Sequence, residues 1–218
     1  MDFAGAYSPE NLRFLMQGLA VTLKVAFISI IFSFIFGAFV GILRFARIPV
    51  LAGVLVIVVE IIRNLPLLLI IFFTRFALPE VGLKVFQNPE YAAIVALTVF
   101  EAAMISEIVR SGLQSIDKGQ MEAARSSGLT YTQALRYVIL PQALRRMVPP
   151  MVSQFISLLK DTSLATVIVL AEMMHNAQII AGKNSNWAIP ILGMAALVYF
   201  AVNFVLSLVA KRMEARHV

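Results

Sequence analysis

Residues 12–43 read LRFLMQGLAVTLKVAFISIIFSFIFGAFVGIL, and Arg13 and Lys24 are the only charges in the run. A helix of about 20 apolar residues crosses a hydrocarbon core of roughly 30 Å, so this stretch is long enough to span a bilayer. Lipid offers no partner for backbone N–H and C=O groups, which leaves only helices and closed barrels as spanning structures. The apolar residues here are continuous rather than alternating, so a helix is expected and a barrel is not. The whole chain agrees with its opening run: of 218 residues, 60% are hydrophobic and 14% charged. Soluble domains sit near about half apolar and a quarter charged.

Four more spans follow: about 51–76 with a polar interruption, 92–109, 147–170 and 187–209. The fourth is interrupted by Lys160 and Asp161. The expected fold is therefore all-α: an integral membrane bundle of five transmembrane helices, read as a single domain over 1–218, with no internal repeat or linker. The net charge of +6 is distributed unevenly. Arg44 and Arg47 have no acid beside them, and the stretch from Arg110 to Arg146 carries six basic residues against two acidic ones. The tail adds Lys211, Arg212 and Arg216 against Glu214, whereas the other connections are balanced or slightly acidic. Basic loops stay in the cytoplasm, so the amino terminus is expected outside and the carboxyl terminus inside. This pattern explains the charge without nucleic acid, for which no interleaving of aromatic and basic residues argues. Asp2 and Glu10 outnumber Arg13 ahead of the first run, a poor secretory signal, so that run is expected to be retained. The chain has no cysteine.

One extended polar stretch, EAARSSGLTYTQALRYVILP (122–141), lies in the most basic loop. Asp117 caps a helix start, with Gln120 at the capping-box offset. The residues to Ser127 favour helix, and Gly128 supplies a left-handed stop. Thr130 and Gln133 repeat the box, Leu135, Val138 and Ile139 form an apolar stripe, and Pro141 is expected to limit the second helix. The product is a helix–Gly–helix knob within a cytoplasmic loop of about 111–146, between the third and fourth spans. It is either an amphipathic connector on the lipid surface or a docking element.

Ionisable groups inside the apolar spans mark function by default, because each costs several kcal/mol to bury. Glu60 and Arg63 are three residues apart and able to pair, as are Glu107 and Arg110. Glu101 has no basic residue three or four positions away, so its partner must be another helix, water or substrate. Lys160 and Asp161 are neighbours about 100° apart on a helix, followed by Thr162 and Ser163, where the backbone is expected to loosen as in broken transporter helices. Asp161 is either a ligand for an ammonium or the N-cap of a restarted helix. Gly37 and Gly41 make a GxxxG pair for which ordinary packing or chance is the simpler reading.

The stretch Glu122-Ala123-Ala124, then Gly128, then Val138, Leu140 and Pro141 resembles the EAA loop of ABC importer permeases, with Val in place of Ile as its one departure. PLLLIIFF (66–73), SEIVRSGLQSIDKGQ (106–120) and LLKDTSLATVI (158–168) are similar to the polar amino acid subfamily of those permeases. The resemblance implies a transmembrane subunit of an ATP-driven amino acid importer, working by alternating access in a prokaryotic cell (inner) membrane. It implies two cytoplasmic ABC ATPase subunits, a second permease subunit that is a copy or a paralogue, and an extracytoplasmic binding protein. Glu122, Ala123, Ala124, Gly128, Leu140 and Pro141 would couple to the ATPase. Glu101, Asp161, Phe100, Lys160, Thr162 and Ser163 form the candidate substrate set.

The chain carries no G-x-x-x-x-G-K-[ST] phosphate loop; Gly182-Lys183-Asn184 is not one. ATP and magnesium are thus expected on the partner ATPases, with no cofactor, metal or catalytic residue in this chain. The competing reading is an ion-coupled secondary transporter with Glu101 and Asp161 as ion sites. An intramembrane hydrolase lacks its nucleophile and base: there is no cysteine, and His175 and His217 fall outside the apolar runs.

Overall fold

The computed structural model describes residues 1–215, and Arg216 and His217 lie outside them. In chain order the helices are α1 (Phe3–Ala6), α2 (Pro9–Phe45), α3 (Leu51–Asn64), α4 (Leu67–Phe72), α5 (Leu78–Glu80), α6 (Pro89–Gln114), α7 (Lys118–Ser126), α8 (Tyr131–Ala134), α9 (Leu140–Asp161), α10 (Met173–Lys183) and α11 (Ala188–Ala215). Among the described residues there is no strand. Three segments, Pro9–Phe45, Pro89–Gln114 and Ser185–Leu208, are each long and apolar enough to cross a membrane. Two bent pairs qualify only jointly: Leu51–Asn64 with Leu67–Glu80, at 101°, and Tyr131–Ile168 with Met173–Lys183, at 51°.

The break in the first pair falls at Leu65-Pro66, where Pro66 stands before α4 with extended backbone. A proline disfavours helix at the residue ahead of it, and Leu65 is accordingly extended (φ −86, ψ 142). The second pair runs differently from expectation. Pro141 does not end a helix: a π turn over Leu135–Ile139 carries α8 directly into α9. A proline ring clashes with the carbonyl four residues back in a regular α-helix, and a π turn widens the ladder at that point. The fourth apolar run therefore belongs to a helix that begins well before residue 147. At Thr162 the ladder tightens to 3₁₀ until Ile168, and the turn to α10 holds Val169 in the left-handed region (φ 62).

α2 shows how the bundle packs. It is apolar all round, so hydrophobicity does not choose its inner face; size does. Gly18, Thr22, Ala26, Ser29, Ser33, Gly37 and Gly41 are buried, while Phe27, Phe34, Phe36 and Phe39 point outward. In lipid, helices gain little by hiding apolar surface from one another, and close backbone approach through small residues takes over. A Cβ on Gly37 would sit 2.7 Å from Ile105 Cβ and 2.8 Å from the Ala102 carbonyl oxygen of α6. On Gly41 it would sit 2.7 Å from the Ser106 carbonyl oxygen. The GxxxG pair is thus the contact of α2 with α6 in the same chain.

The knob forms as expected in outline. Asp117 caps the start, accepting from Gly119 N at 2.7 Å, but the capping box does not form, because Gln120 turns instead to Gln142 on α9. At the next start the box is complete: Gln133 N donates to Thr130 Oγ1 at 3.3 Å, and Thr130 N donates to Gln133 Oε1 at 2.9 Å. Between them Gly128 (φ +89) ends α7 with two reversed bonds, Gly128 N to Arg125 O at 3.1 Å and Leu129 N to Ala124 O at 3.2 Å. These are the two bonds of a Schellman stop. Thr130→Ala is expected to weaken this unit by about 1 kcal/mol, read as faster amide exchange at 131–135; exchange unchanged from wild type would exclude the box as its support.

On the opposite end, α1 is tied to the segment before α11. Asp2 Oδ1 accepts from Gly5 N at 2.9 Å, Asp2 Oδ2 from Trp187 Nε1 at 2.9 Å, and Tyr7 Oη donates to the Pro190 carbonyl at 3.1 Å. The Gly5 and Trp187 donors hold the Asp2 carboxyl below the usual carboxylate range.

Candidate functional site

Glu101 lies on α6 with no exposed surface. Of the partners open to it (another helix, water or substrate), another helix supplies one: Gln154 Nε2 on α9 donates to Glu101 Oε2 at 2.8 Å. Glu101 Oε1 is buried with no partner. Asp161, at the C-terminal end of α9, is half-buried. Asp161 does not cap the segment that follows it, since its side chain makes no capping hydrogen bond there. The α-helix yields at this point to the 3₁₀ turn. Buried Thr162 donates to the Leu159 carbonyl at 2.7 Å, and Ser163 to the Lys160 carbonyl at 2.7 Å. Both hydroxyl protons are thus given to the preceding turn. Lys160 is exposed. Phe100, adjacent to Glu101, is half-buried against a different core, that of Leu67, Ile71, Leu97 and Ile168. Of the substrate set, Glu101 is buried on Gln154, Asp161 and Phe100 are half-buried, Thr162 is buried, and Lys160 is exposed.

A second polar cluster joins the C-terminal ends of α2 and α6 to α3. Arg44, with a side chain only 3% exposed, donates Nη1 to Ser106 Oγ at 3.1 Å and pairs with Glu107 at 3.0 Å. Glu107 also pairs with Arg110 and lies 3.8 Å from Arg63, which holds Glu60 at 3.0 Å. The two sequence-local pairs exist and meet where Arg63 approaches Glu107; the buried Arg44 on Glu107 is an addition that the sequence did not announce.

Buried Glu172 is a third site outside the sequence expectations. It caps α10 through His175 N (2.6 Å) and Met174 N (2.8 Å), and it accepts from Tyr199 Oη on α11 at 3.0 Å and Thr22 Oγ1 on α2 at 3.4 Å. Four donors meet one carboxylate, so this group holds three helices together and leaves little capacity for a ligand. Gln154 carries a faint sequence signal as the only side-chain amide between residues 143 and 175. Nothing in the local pattern distinguishes Glu172 from a surface acid.

On the knob, Glu122, Ala123, Gly128, Leu140 and Pro141 are exposed, with Ala124 buried beneath them. Ile116, Met121, Leu135 and Ile139 seat the knob on the end of α6 and the start of α9. The arrangement presents an exposed outer face. Among the described residues no group of three or more His, Cys, Asp or Glu is placed to hold a metal.

A bundle of broken apolar helices carrying an EAA-type knob is the architecture of an ABC transporter permease subunit. Residues 33–217 match the family of binding-protein-dependent transport system inner membrane components, and the chain belongs to that family. It is 65% identical over 218 residues, covering 99% of each chain, to a probable glutamine ABC transporter permease protein, GlnP, of Bacillus subtilis (strain 168). A second relative in that organism, a probable glutamine ABC transporter permease protein GlnM, is 38% identical over 95% of this chain and 94% of its own. Among solved structures, an amino acid ABC transporter with histidines superposes with a TM-score of 0.91 at 30% identity, covering 99% of both chains.

Proposed function

We propose that the chain is the transmembrane subunit of an ATP-driven importer that moves polar amino acids into the cytoplasm by alternating access, with glutamine the first cargo to test. The observation that carries this reading is the exposed helix–Gly–helix knob in a chain that has no phosphate loop and belongs to a permease family. In this reading the two bent helix pairs count as one crossing each, giving five. The amino terminus lies outside, and the knob and carboxyl terminus lie in the cytoplasm. Two ABC ATPases bind ATP and magnesium below the membrane and engage Glu122, Ala123, Ala124, Gly128, Leu140 and Pro141. A second permease subunit completes the pathway, a binding protein delivers cargo from outside, and lipid surrounds the exposed phenylalanines. Glu101 and Asp161 receive the cargo's positively polarised groups, with Thr162 and Ser163 shaping the turn beside them. Lys160 and Phe100 contribute after the helices reorient.

Family membership favours this over an ion-coupled carrier, and reconstitution with the ATPase decides between them. Uptake into vesicles is expected to require ATP and the ATPase and to survive collapse of ion gradients. Gradient-driven uptake by this chain without the ATPase would overturn the reading. Asp161→Asn is expected to lower uptake at least tenfold or to shift which amino acid is carried; unchanged uptake of every amino acid would remove Asp161 from the site. That magnitude follows from the ~1.5–3 kcal/mol of a hydrogen bond to a charged group.

A further inference from the structure

The structure assigns to Gln154 a role beside Glu101: together they form a two-acceptor receptor for an –NH2 or –NH3⁺ group of the cargo, with Gln154 as the specificity-determining member. This rests on the proposal that Glu101 faces the cargo. With Glu101 ionised, its oxygens accept and cannot donate, so the amide of Gln154 presents its NH2 end to it, as the 2.8 Å contact has it. That fixes where the remaining capacity lies. Glu101 Oε1 is buried without a donor, and among the described residues no donor reaches the Gln154 carbonyl oxygen. A carboxylate pinned by one oxygen and a carbonyl pinned by its own amide leave two acceptors on adjoining side chains, and no lysine or arginine makes an ion pair with Glu101 among the described residues.

A buried acceptor left empty costs free energy that a cargo N–H recovers on binding. Two open acceptors on side chains already joined by a hydrogen bond match a group with two N–H bonds. Only one of them is charged, which is what a neutral carboxamide tolerates and what a second carboxylate would spoil. Gln154 is half-buried rather than enclosed, so it is the member of the pair that incoming cargo meets. It follows Pro149 and Pro150 in α9, two residues that give the helix no backbone N–H. This stretch can thus shift against α6 at low cost, as uncovering Glu101 requires.

Uptake of glutamine and of arginine by the full complex in vesicles tests the role, using Q154E, Q154L and E101Q. Q154E turns the neutral acceptor acidic and is expected to raise the arginine-to-glutamine ratio of kcat/KM by about tenfold or more, the scale of one charge-assisted hydrogen bond. Q154L is expected to raise KM for glutamine about tenfold while leaving kcat near wild type, because positioning is lost and the pathway is not. A ratio within twofold of wild type in Q154E, with KM unchanged in Q154L, overturns the role of Gln154. E101Q separates the two readings. Wild-type uptake in E101Q removes Glu101 from the site and this receptor with it, whereas impaired E101Q beside unaltered Gln154 variants removes Gln154 alone. If Q154E does not assemble with the ATPase, the KM of Q154L decides.

Discussion

Gly37→Leu is expected to abolish recovery of folded, monodisperse protein. The would-be Cβ meets Ile105 Cβ at 2.7 Å and the Ala102 carbonyl oxygen at 2.8 Å. A side-chain neighbour can rotate away, but a backbone carbonyl moves only with its helix. Overfilling a packed site costs about 1–3 kcal/mol where side chains can adjust. Here α2 and α6 must separate, which also pulls Arg44 away from Ser106 and Glu107 near the same end of the helix pair. Gly53→Leu is the matched control, because a Cβ there meets nothing within 4 Å and leucine favours helix over glycine by up to about 1 kcal/mol. The yield of monodisperse protein is the measurement, with thermal unfolding in detergent of whatever is recovered. Equal midpoints for the two variants would show that the α2–α6 contact does not set stability.

Gly128→Val is expected to leave the bundle intact and uncouple it from ATP. The obstacle is conformational rather than spatial, since a Cβ at Gly128 meets nothing within 4 Å while φ is +89. A left-handed residue with a side chain costs about 1–2 kcal/mol, and a branched Cβ raises this. Valine would escape by unwinding the two reversed bonds that set the angle between α7 and α8. Asparagine, which tolerates that region best after glycine, should fall between wild type and valine. Co-purification of the ATPase and cargo-stimulated hydrolysis report the effect. Wild-type stimulation in Gly128→Val would take the knob out of the coupling path.

These two glycines mark what was legible in the sequence. Gly128 announced itself, because a glycine between a helix-favouring run and a Thr–x–x–Gln box has one local meaning. Gly37 and Gly41 were ambiguous, because GxxxG acquires meaning only from the helix laid against it. Local rules found both helix starts in the knob and the interruption of the second apolar run. They failed at Pro141, where a single π turn, invisible to residue preference, let the helix continue. They placed Glu101 as a buried acid needing a distant partner but could not name Gln154, which lies 53 residues away. Glu172 was missed because its four donors come from α2, α10 and α11, and such convergence leaves no trace in any one of them.

The uninterrupted length of α2 has a mechanical consequence. Its 37 residues make a rod of about 56 Å at 1.5 Å per residue. Leu15 and Leu19 near one end lock against α10 and α11, and Gly37 and Gly41 near the other lock against α6. No proline, π turn or 3₁₀ segment divides the rod between these grips, in contrast to α3–α4 and α9–α10. Any swing of α6 thus reaches α10 as the motion of a stiff lever. A tilt of only 5° displaces the far end of such a rod by about 5 Å, roughly one helical turn, without breaking a single backbone bond within it.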